Sequence, residues 1–184
     1  MSTLGRMILL TAALCSLGIP ALAQTQPDPQ IVSVARPGKV ATYYNAEKNS
    51  TTVILGFSDV GGESPCGLYI SANASHPGKT AASPSSVNFV ILRITPEEKI
   101  KSAPLRDLTF TADGQVMNLG VMETGSQQSN MDLRFETLQI SLPYESFLKI
   151  ANAKKVEGKL GAGNFILTGN NLNFIREFVG RMKP

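Results

Sequence analysis

The chain has 184 residues, a net charge of +3 and two cysteines, and it contains no tryptophan. This length suits one domain with an ordinary hydrophobic core, while the low charge and the scarcity of cysteine exclude a disordered polyelectrolyte and a disulfide-scaffolded mini-protein. Because the small charge is spread along the chain, a nucleic-acid-binding protein is also excluded.

The N-terminus has the three-part pattern of a secretory signal peptide. Arg6 supplies the positive charge, an apolar stretch runs from Met7 to Leu17, and the triplet Ala21-Leu22-Ala23 precedes the expected cleavage site before Gln24. Cleavage there removes one basic residue and no acid, which lowers the net charge to +2. The apolar stretch is too short to span a bilayer. We therefore expect an exported protein, periplasmic or extracellular, that is not an integral membrane protein.

Short runs of β-branched and aromatic residues dominate the chain after the signal peptide, and such runs are typical of strands. Val87 to Thr95 is nearly all apolar, which predicts a central strand with both faces covered. His76 to Ser86 is dense in Pro, Gly and Ser, which predicts an exposed loop. Further strands are predicted at 31–34, 40–44, 51–57 and 68–72.

Asp113-Gly114 is the preferred residue pair for a two-residue type I′ turn. The flanking segments, 108–112 and 115–119, have the alternating pattern of a β-hairpin. In that register Phe110 faces Met117 and Leu108 faces Leu119, so the apolar side chains share one side of the ribbon.

The segment after the hairpin is polar, and Glu123 to Asn130 is predicted as a loop. Leu133 to Leu142 is predicted as a strand whose apolar positions change parity partway. A β-bulge near Glu136-Thr137 would explain that change.

Two helices are predicted near the C-terminus. Pro143 fits the first helical position, and Tyr144, Phe147, Leu148 and Ala151 then share one face. A hairpin follows, with strands at 156–160 and 164–167. Asn170 or Asn171 is the expected N-cap of the last helix, whose apolar stripe consists of Leu172, Ile175, Phe178, Val179 and Met182.

These elements predict an α+β fold. We expect a predominantly antiparallel, sandwich-like or barrel-like β domain with two C-terminal helices. The predicted boundaries are a signal peptide at 1–23, a flexible mature N-terminus at 24–30 and a single β-rich domain at 31–184.

The C-terminal third contains the most specific motif of the chain, F-L-K-I-A-N-A-K-K-V-E at residues 147–157. In this respect the chain resembles a family of uncharacterised exported bacterial proteins. The resemblance implies export and a bacterial source, and since no activity is known for the family it implies no catalytic residue. Other matching features are Leu160-Gly161, Phe165-Ile166-Leu167 and Arg176, and upstream Pro77-Gly78-Lys79 with Pro84 and the Asp113-Gly114 turn.

Cys66 and His76 would be the only residues of their types after signal cleavage. Cys66 is a buried small hydrophobe, an intermolecular disulfide partner or a reactive thiol. A thiolate beside an imidazole is the minimal apparatus of covalent hydrolysis, and Asp59 could orient the ring. A small thiol-dependent hydrolase using Cys66 and His76 is therefore the alternative function, against the simpler interpretation of a buried thiol and a solvent-facing loop histidine.

The sequence lacks the residues that metal and cofactor sites require. Structural zinc motifs need three or four Cys or His ligands, and calcium sites need carboxylates at short spacing. The chain contains no G-x-S-x-G, G-x-G-x-x-G or P-loop motif. We expect no bound metal and no cofactor.

The sequence favours an exported, non-catalytic binding or structural module of the bacterial envelope. His76, Pro77, Gly78 and Lys79 form the expected contact loop. The expected partner is another envelope protein or, given the basic residues of the C-terminal region, an anionic surface. An open-edged strand or an exposed apolar patch would indicate a protein partner.

Overall fold

The computed structural model describes residues 35–62, 67–99 and 105–183. The predicted signal peptide, the flexible N-terminus, the strand at 31–34 and Cys66 all lie outside these residues.

The described residues form two β-sheets in which every pairing is antiparallel. The strands in chain order are β1 (Val40–Asn45), β2 (Ser50–Asp59), β3 (Gly61–Gly62), β4 (Leu68–Pro77), β5 (Ser86–Pro96), β6 (Asp107–Ala112), β7 (Gln115–Val121), β8 (Glu123–Asn130), β9 (Leu133–Pro143), β10 (Val156–Leu160) and β11 (Gly163–Leu167). A 3-10 turn, Glu97–Lys99, follows β5.

The larger sheet has six strands in the order β1-β2-β4-β5-β9-β8, and the smaller has five in the order β3-β11-β10-β6-β7. Two helices, α1 (Tyr144–Asn152) and α2 (Gly169–Gly180), accompany them. The α+β, sandwich-like prediction is therefore confirmed, and the two separate sheets distinguish it from a closed barrel.

Five phenylalanines link both sheets and both helices through the interior. Phe89 of β5 meets Phe110 of β6 edge to face, with ring centroids 5.6 Å apart, and Phe110 meets Phe165 of β11 at 5.7 Å. On the other side Phe89 lies 6.4 Å from Phe147 of α1, which meets Phe178 of α2 at 5.6 Å. Each ring is at most 2% exposed. The core is therefore one continuous apolar cluster between the sheets and under the helices.

The prediction of a central strand at 87–95 is confirmed, because β5 pairs with β4 on one side and with β9 on the other. Val87, Phe89 and Ile91 belong to the core cluster. Val90, which alternates with them, is buried on the opposite face.

The hairpin at Asp113-Gly114 is confirmed, and both turn residues have the positive φ of a type I′ turn. Phe110 pairs with Met117 as predicted. Leu108 pairs with Gly120 instead of Leu119, because a bulge between Leu108 and Thr109 shifts the register.

The Asp113 carboxylate also accepts hydrogen bonds from the backbone N–H groups of Lys154 and Lys155, at 2.9–3.0 Å. These bonds lower the pKa of Asp113, with the bond from Lys154 contributing most. The turn is therefore fastened to the segment that joins α1 to β10.

Two expectations for the middle of the chain are wrong. Glu123 to Asn130 is not a loop but strand β8, which hydrogen-bonds to β9. The bulge lies on the β8–β9 pairing, between Thr124 and Ser126, whereas β9 pairs with β5 without interruption. With no bulge at Glu136, this carboxylate faces the interior, and two arginines compensate its charge there.

The helix ends differ from the sequence prediction by a few residues. Pro143 is the last residue of β9 and caps α1 instead of occupying its first position. The N-cap of α2 is Thr168, and Asn171 completes a capping box with it. The Asn171 side chain also donates hydrogen bonds to Ser58 Oγ and Asp59 O of β2, each at 2.9 Å. This buried amide therefore joins α2 to the larger sheet.

Candidate functional site

The predicted contact loop begins later than expected, because β4 extends to Pro77 and includes His76. His76 is 3% exposed and pairs with Thr51 of the neighbouring strand β2. Its Nδ1 lies 3.2 Å from the carbonyl oxygen of Pro77. The interpretation of His76 as a solvent-facing loop residue is therefore wrong. The imidazole occupies an interior-facing strand position, in parity with the core residue Ala74.

The loop that follows, residues 78–85, is attached to the β1–β2 turn at its start. The N–H of Gly78 donates to the carbonyl of Asn49 at 2.8 Å, and Thr51 Oγ1 donates to the Gly78 carbonyl at 2.6 Å. Lys79 Nζ lies 4.8 Å above the centre of the Tyr44 ring. Of the four predicted contact residues, Pro77 and Lys79 are exposed, Gly78 is half-buried and His76 is buried.

Cys66 lies outside the described residues, so the structure gives no distance between its thiol and His76. The thiol hydrolase therefore stays a prediction. Among residues 35–62, 67–99 and 105–183, no group of three or more His, Cys, Asp or Glu side chains is placed to hold a metal ion.

The basic residues of the C-terminal region are partly engaged within the fold. Lys155 pairs with Glu157, and Arg181 pairs with Glu177. Arg176 donates from Nε and Nη2 to the carbonyls of Ala151 and Ala153, at 3.0 and 2.8 Å, so it caps the C-terminus of α1. The region therefore presents fewer free positive charges than the sequence indicates.

One outer strand in the described part of the molecule is β7, at the end of the smaller sheet. It hydrogen-bonds to β6 on one side and has no described strand on the other. From Gln115 to Val121 it contains neither a charged residue nor a proline. Natural edge strands are commonly protected by charges or proline, and β7 has neither of these two features.

Alternate residues of β7 differ in burial. Met117 and Leu119 are half-buried and pack against the core, whereas the side chains of Val116 and Val121 are 62% and 65% exposed. Met117 and Leu119 therefore anchor β7, while the bulge at Leu119 inverts the alternation and leaves Val121 as exposed as Val116.

Strand β8, which follows β7 in the chain, is an outer strand of the larger sheet. Its other edge is also unpaired, since β9 is its only neighbour among the described strands. All its side chains are exposed, and they are polar apart from Gly125. Met122, which joins β7 to β8, is 1% exposed and holds the two edges together. The candidate site is thus the β7 edge, bordered by the polar surface of β8.

Sequence reasoning placed β7 correctly as half of a hairpin but did not identify it as an edge. The absence of charge from 114 to 122 is a local signal of that role, but central strands can also lack charge. Only the sheet order separates the two cases.

The comparisons with family models, with curated proteins and with solved structures found no match for this chain. No helix in the described residues is both long enough and apolar enough to cross a membrane.

Proposed function

We propose that this chain is an exported, non-catalytic binding module of the bacterial envelope that recognises an extended segment of another protein by strand addition at β7. The observation that carries the proposal is an outer strand with exposed apolar side chains and no protecting charge. In strand addition the main-chain groups of the edge supply affinity, and alternate side chains supply specificity.

The chemistry of the edge favours a polypeptide over an anionic surface. Binding to lipid headgroups or acidic polysaccharide requires accessible positive charge, and β7 has none. The unpaired N–H and C=O groups of an edge strand match those of an extended peptide, whatever its sequence. Val116 and Val121 would then contact apolar side chains of the added strand.

Export is the second part of the proposal, and it rests on the signal-peptide pattern of residues 1–23. The intact mass of the protein recovered from the envelope fraction tests it. We expect a mature chain that begins at Gln24. A cytoplasmic protein that retains Met1 to Ala23 would overturn this part while leaving the binding proposal standing.

Site-specific photocross-linking in the producing bacterium tests the binding site. A benzophenone amino acid at Val116 is expected to form a covalent adduct with one predominant envelope protein. The matched control is Ile166, which is 51% exposed on the same outer face of the same sheet, three strands away from β7. We expect little adduct from position 166.

A peptide that covers the cross-linked segment of that protein then tests the binding mode. Hydrogen exchange should slow in residues 115–121 when the peptide binds, because the outward amides of β7 gain acceptors. Equal adducts at 116 and 166 would contradict the proposal, as would protection confined to another part of the chain. An adduct with a second copy of this chain would show that the β7 edge forms a homodimer and does not bind a different envelope protein.

A further inference from the structure

A second polar site lies at the end of the sandwich where β5, β9 and the start of β6 meet. Glu136 of β9 is directly opposite Arg93 of β5, and Arg93 Nη2 lies 2.5 Å from Glu136 Oε2. Arg106, immediately before β6, places Nη2 3.2 Å from Glu136 Oε1. The Glu136 side chain is 3% exposed. One buried carboxylate therefore lies between guanidinium groups from the two sheets.

A third arginine, Arg134, lies on the same strand as the carboxylate, β9. Arg134 is two residues from Glu136 and on the same face of the strand. Its Nη2 donates to Gln127 Oε1 at 2.6 Å, and Gln127 is the cross-strand neighbour of Glu136 on β8. The Arg134 guanidinium therefore lies on the β8 side of β9, away from Arg93.

Positive charge exceeds negative charge at this cluster. Arg93 and Arg106 pair with the one carboxylate, and Arg134 adds a third positive charge on the same face of β9. The nearby acids, Glu97, Asp107 and Asp132, are exposed, and none of them forms an ion pair with these arginines in the described part of the chain. A net charge of about +2 thus remains in a partly desolvated place, which is unfavourable unless an anion is present.

The hydrogen bonds of the cluster are also incomplete. Arg106 Nε and Arg134 Nε are buried and have no hydrogen-bond acceptor. Glu136 Oε1 lies within ion-pair distance of Arg106 but accepts no hydrogen bond with acceptable geometry. Buried polar groups usually have partners, whereas the two Nε–H groups each lack an acceptor oxygen. Guanidinium groups present paired donors that match the oxygens of a phosphate group.

From the charge excess and the unused donors together, we propose that Arg93, Arg106 and Arg134 form a binding site for a phosphate group. Glu136 holds Arg93 and Arg106 in place, and the remaining donors of Arg106 and Arg134 bind the oxyanion. This site is separate from the β7 edge, and it does not depend on the proposed strand addition.

Calorimetric titration of the full mature chain at low ionic strength tests the proposal, with inorganic phosphate and glycerol 3-phosphate as the two probes. Saturable binding of both would indicate a phosphate group carried by a larger molecule. Saturation by inorganic phosphate alone would support the site with the free ion as ligand.

Two variants assign the binding to the cluster. Arg106→Gln is expected to weaken phosphate binding about tenfold, since it removes a charge-assisted hydrogen bond from a side chain that is already 32% exposed. Arg134→Lys keeps the charge but loses the guanidinium fork, so weaker binding by this variant would show that geometry matters as well as charge. The matched control is Arg181→Gln, an exposed arginine of α2 that pairs with Glu177.

Circular dichroism and the unfolding midpoint without phosphate confirm that the variants are folded. The proposal is overturned if wild-type protein shows no saturable binding of either probe. It is also overturned if Arg106→Gln and Arg134→Lys bind phosphate as tightly as Arg181→Gln does, because the ion would then bind elsewhere. A midpoint that rises with phosphate in the wild type but not in Arg106→Gln is the expected linked result.

Discussion

The space between the two sheets contains two chemically different regions. In the middle, Phe110 is fully buried between the rings of Phe89 and Phe165. At one end, Glu136 is almost as buried but lies between Arg93 and Arg106. The apolar region stabilises the fold by removing carbon surface from water, whereas in the charged region the attraction between Glu136 and its arginines is offset by the cost of desolvating them. Burial alone therefore does not show what a residue contributes to stability.

The largest effect is expected from the apolar region. Phe110→Ala should lower the free energy of unfolding by about 4 kcal/mol, through lost burial and the cavity left between two rings. Urea denaturation followed by circular dichroism measures this. Phe110→Leu should lose less because leucine fills much of the same volume, and Val116→Ala, at an exposed position, should change stability by at most about 0.5 kcal/mol. Equal losses for Phe110→Ala and Val116→Ala would refute this account of the core.

The charged region should respond differently to single and double substitutions. Glu136→Gln is expected to lower the free energy of unfolding by about 3 kcal/mol, since it leaves two partly buried guanidinium groups without a counter-charge. Combining Glu136→Leu with Arg93→Met should recover part of that loss, because the apolar pair needs no compensation and the only partner left without a counter-charge is the partly exposed Arg106. If the double variant loses as much free energy of unfolding as the two single variants together, the charged region stabilises the fold in the same way as the phenylalanines do.

A smaller effect is expected where a charge caps a helix at the surface. Arg176→Ala should lower the free energy of unfolding by about 1 kcal/mol, because the carbonyls of Ala151 and Ala153 lose charged donors. Arg176→Lys should keep part of this contribution. The matched control, Arg181→Ala, removes only an exposed ion pair and should cost at most about 0.5 kcal/mol. Equal losses for the two alanine variants would contradict the capping role.

The smallest effect concerns Asp113, whose pKa is lowered first by the backbone N–H of Lys154 and then by that of Lys155. A carboxyl group with a folded-state pKa below its unfolded value stabilises the fold above pH 3.8, and this contribution is lost as the pH falls through the folded-state pKa. Asp113→Asn keeps a residue suited to the type I′ turn but cannot ionise.

Measuring the unfolding free energy of the Asp113→Asn variant and the wild type from pH 7 down to pH 2 tests this prediction. The difference between them should be constant near neutrality and should shrink below pH 3.8. A difference independent of pH over this range would exclude ionisation of Asp113 as its cause.

The candidate sites show where sequence reasoning ended. The lack of charge around Val116 and Val121 is visible in the sequence, but the position of β7 at a sheet edge depends on strands far away in the chain. Likewise the change of apolar parity near Glu136 indicated a bulge, whereas the Glu136 side chain lies in the interior. Its counter-charges come from Arg93 and Arg106, which are 43 and 30 positions away along the chain. For His76, flanking proline and glycine predicted a loop, whereas pairing with Thr51 extended the strand.

The sequence by itself determined the strand-rich character, the Asp113-Gly114 hairpin and the two helices, because these follow from side-chain branching, turn chemistry and periodicity within a few residues. Tertiary structure decided that a polar segment such as 123–130 becomes a strand, since its backbone bonds are supplied by β9. It also decided which strand is an edge and which charges meet inside. Those outcomes depend on contacts between distant segments, and no local pattern contains that information.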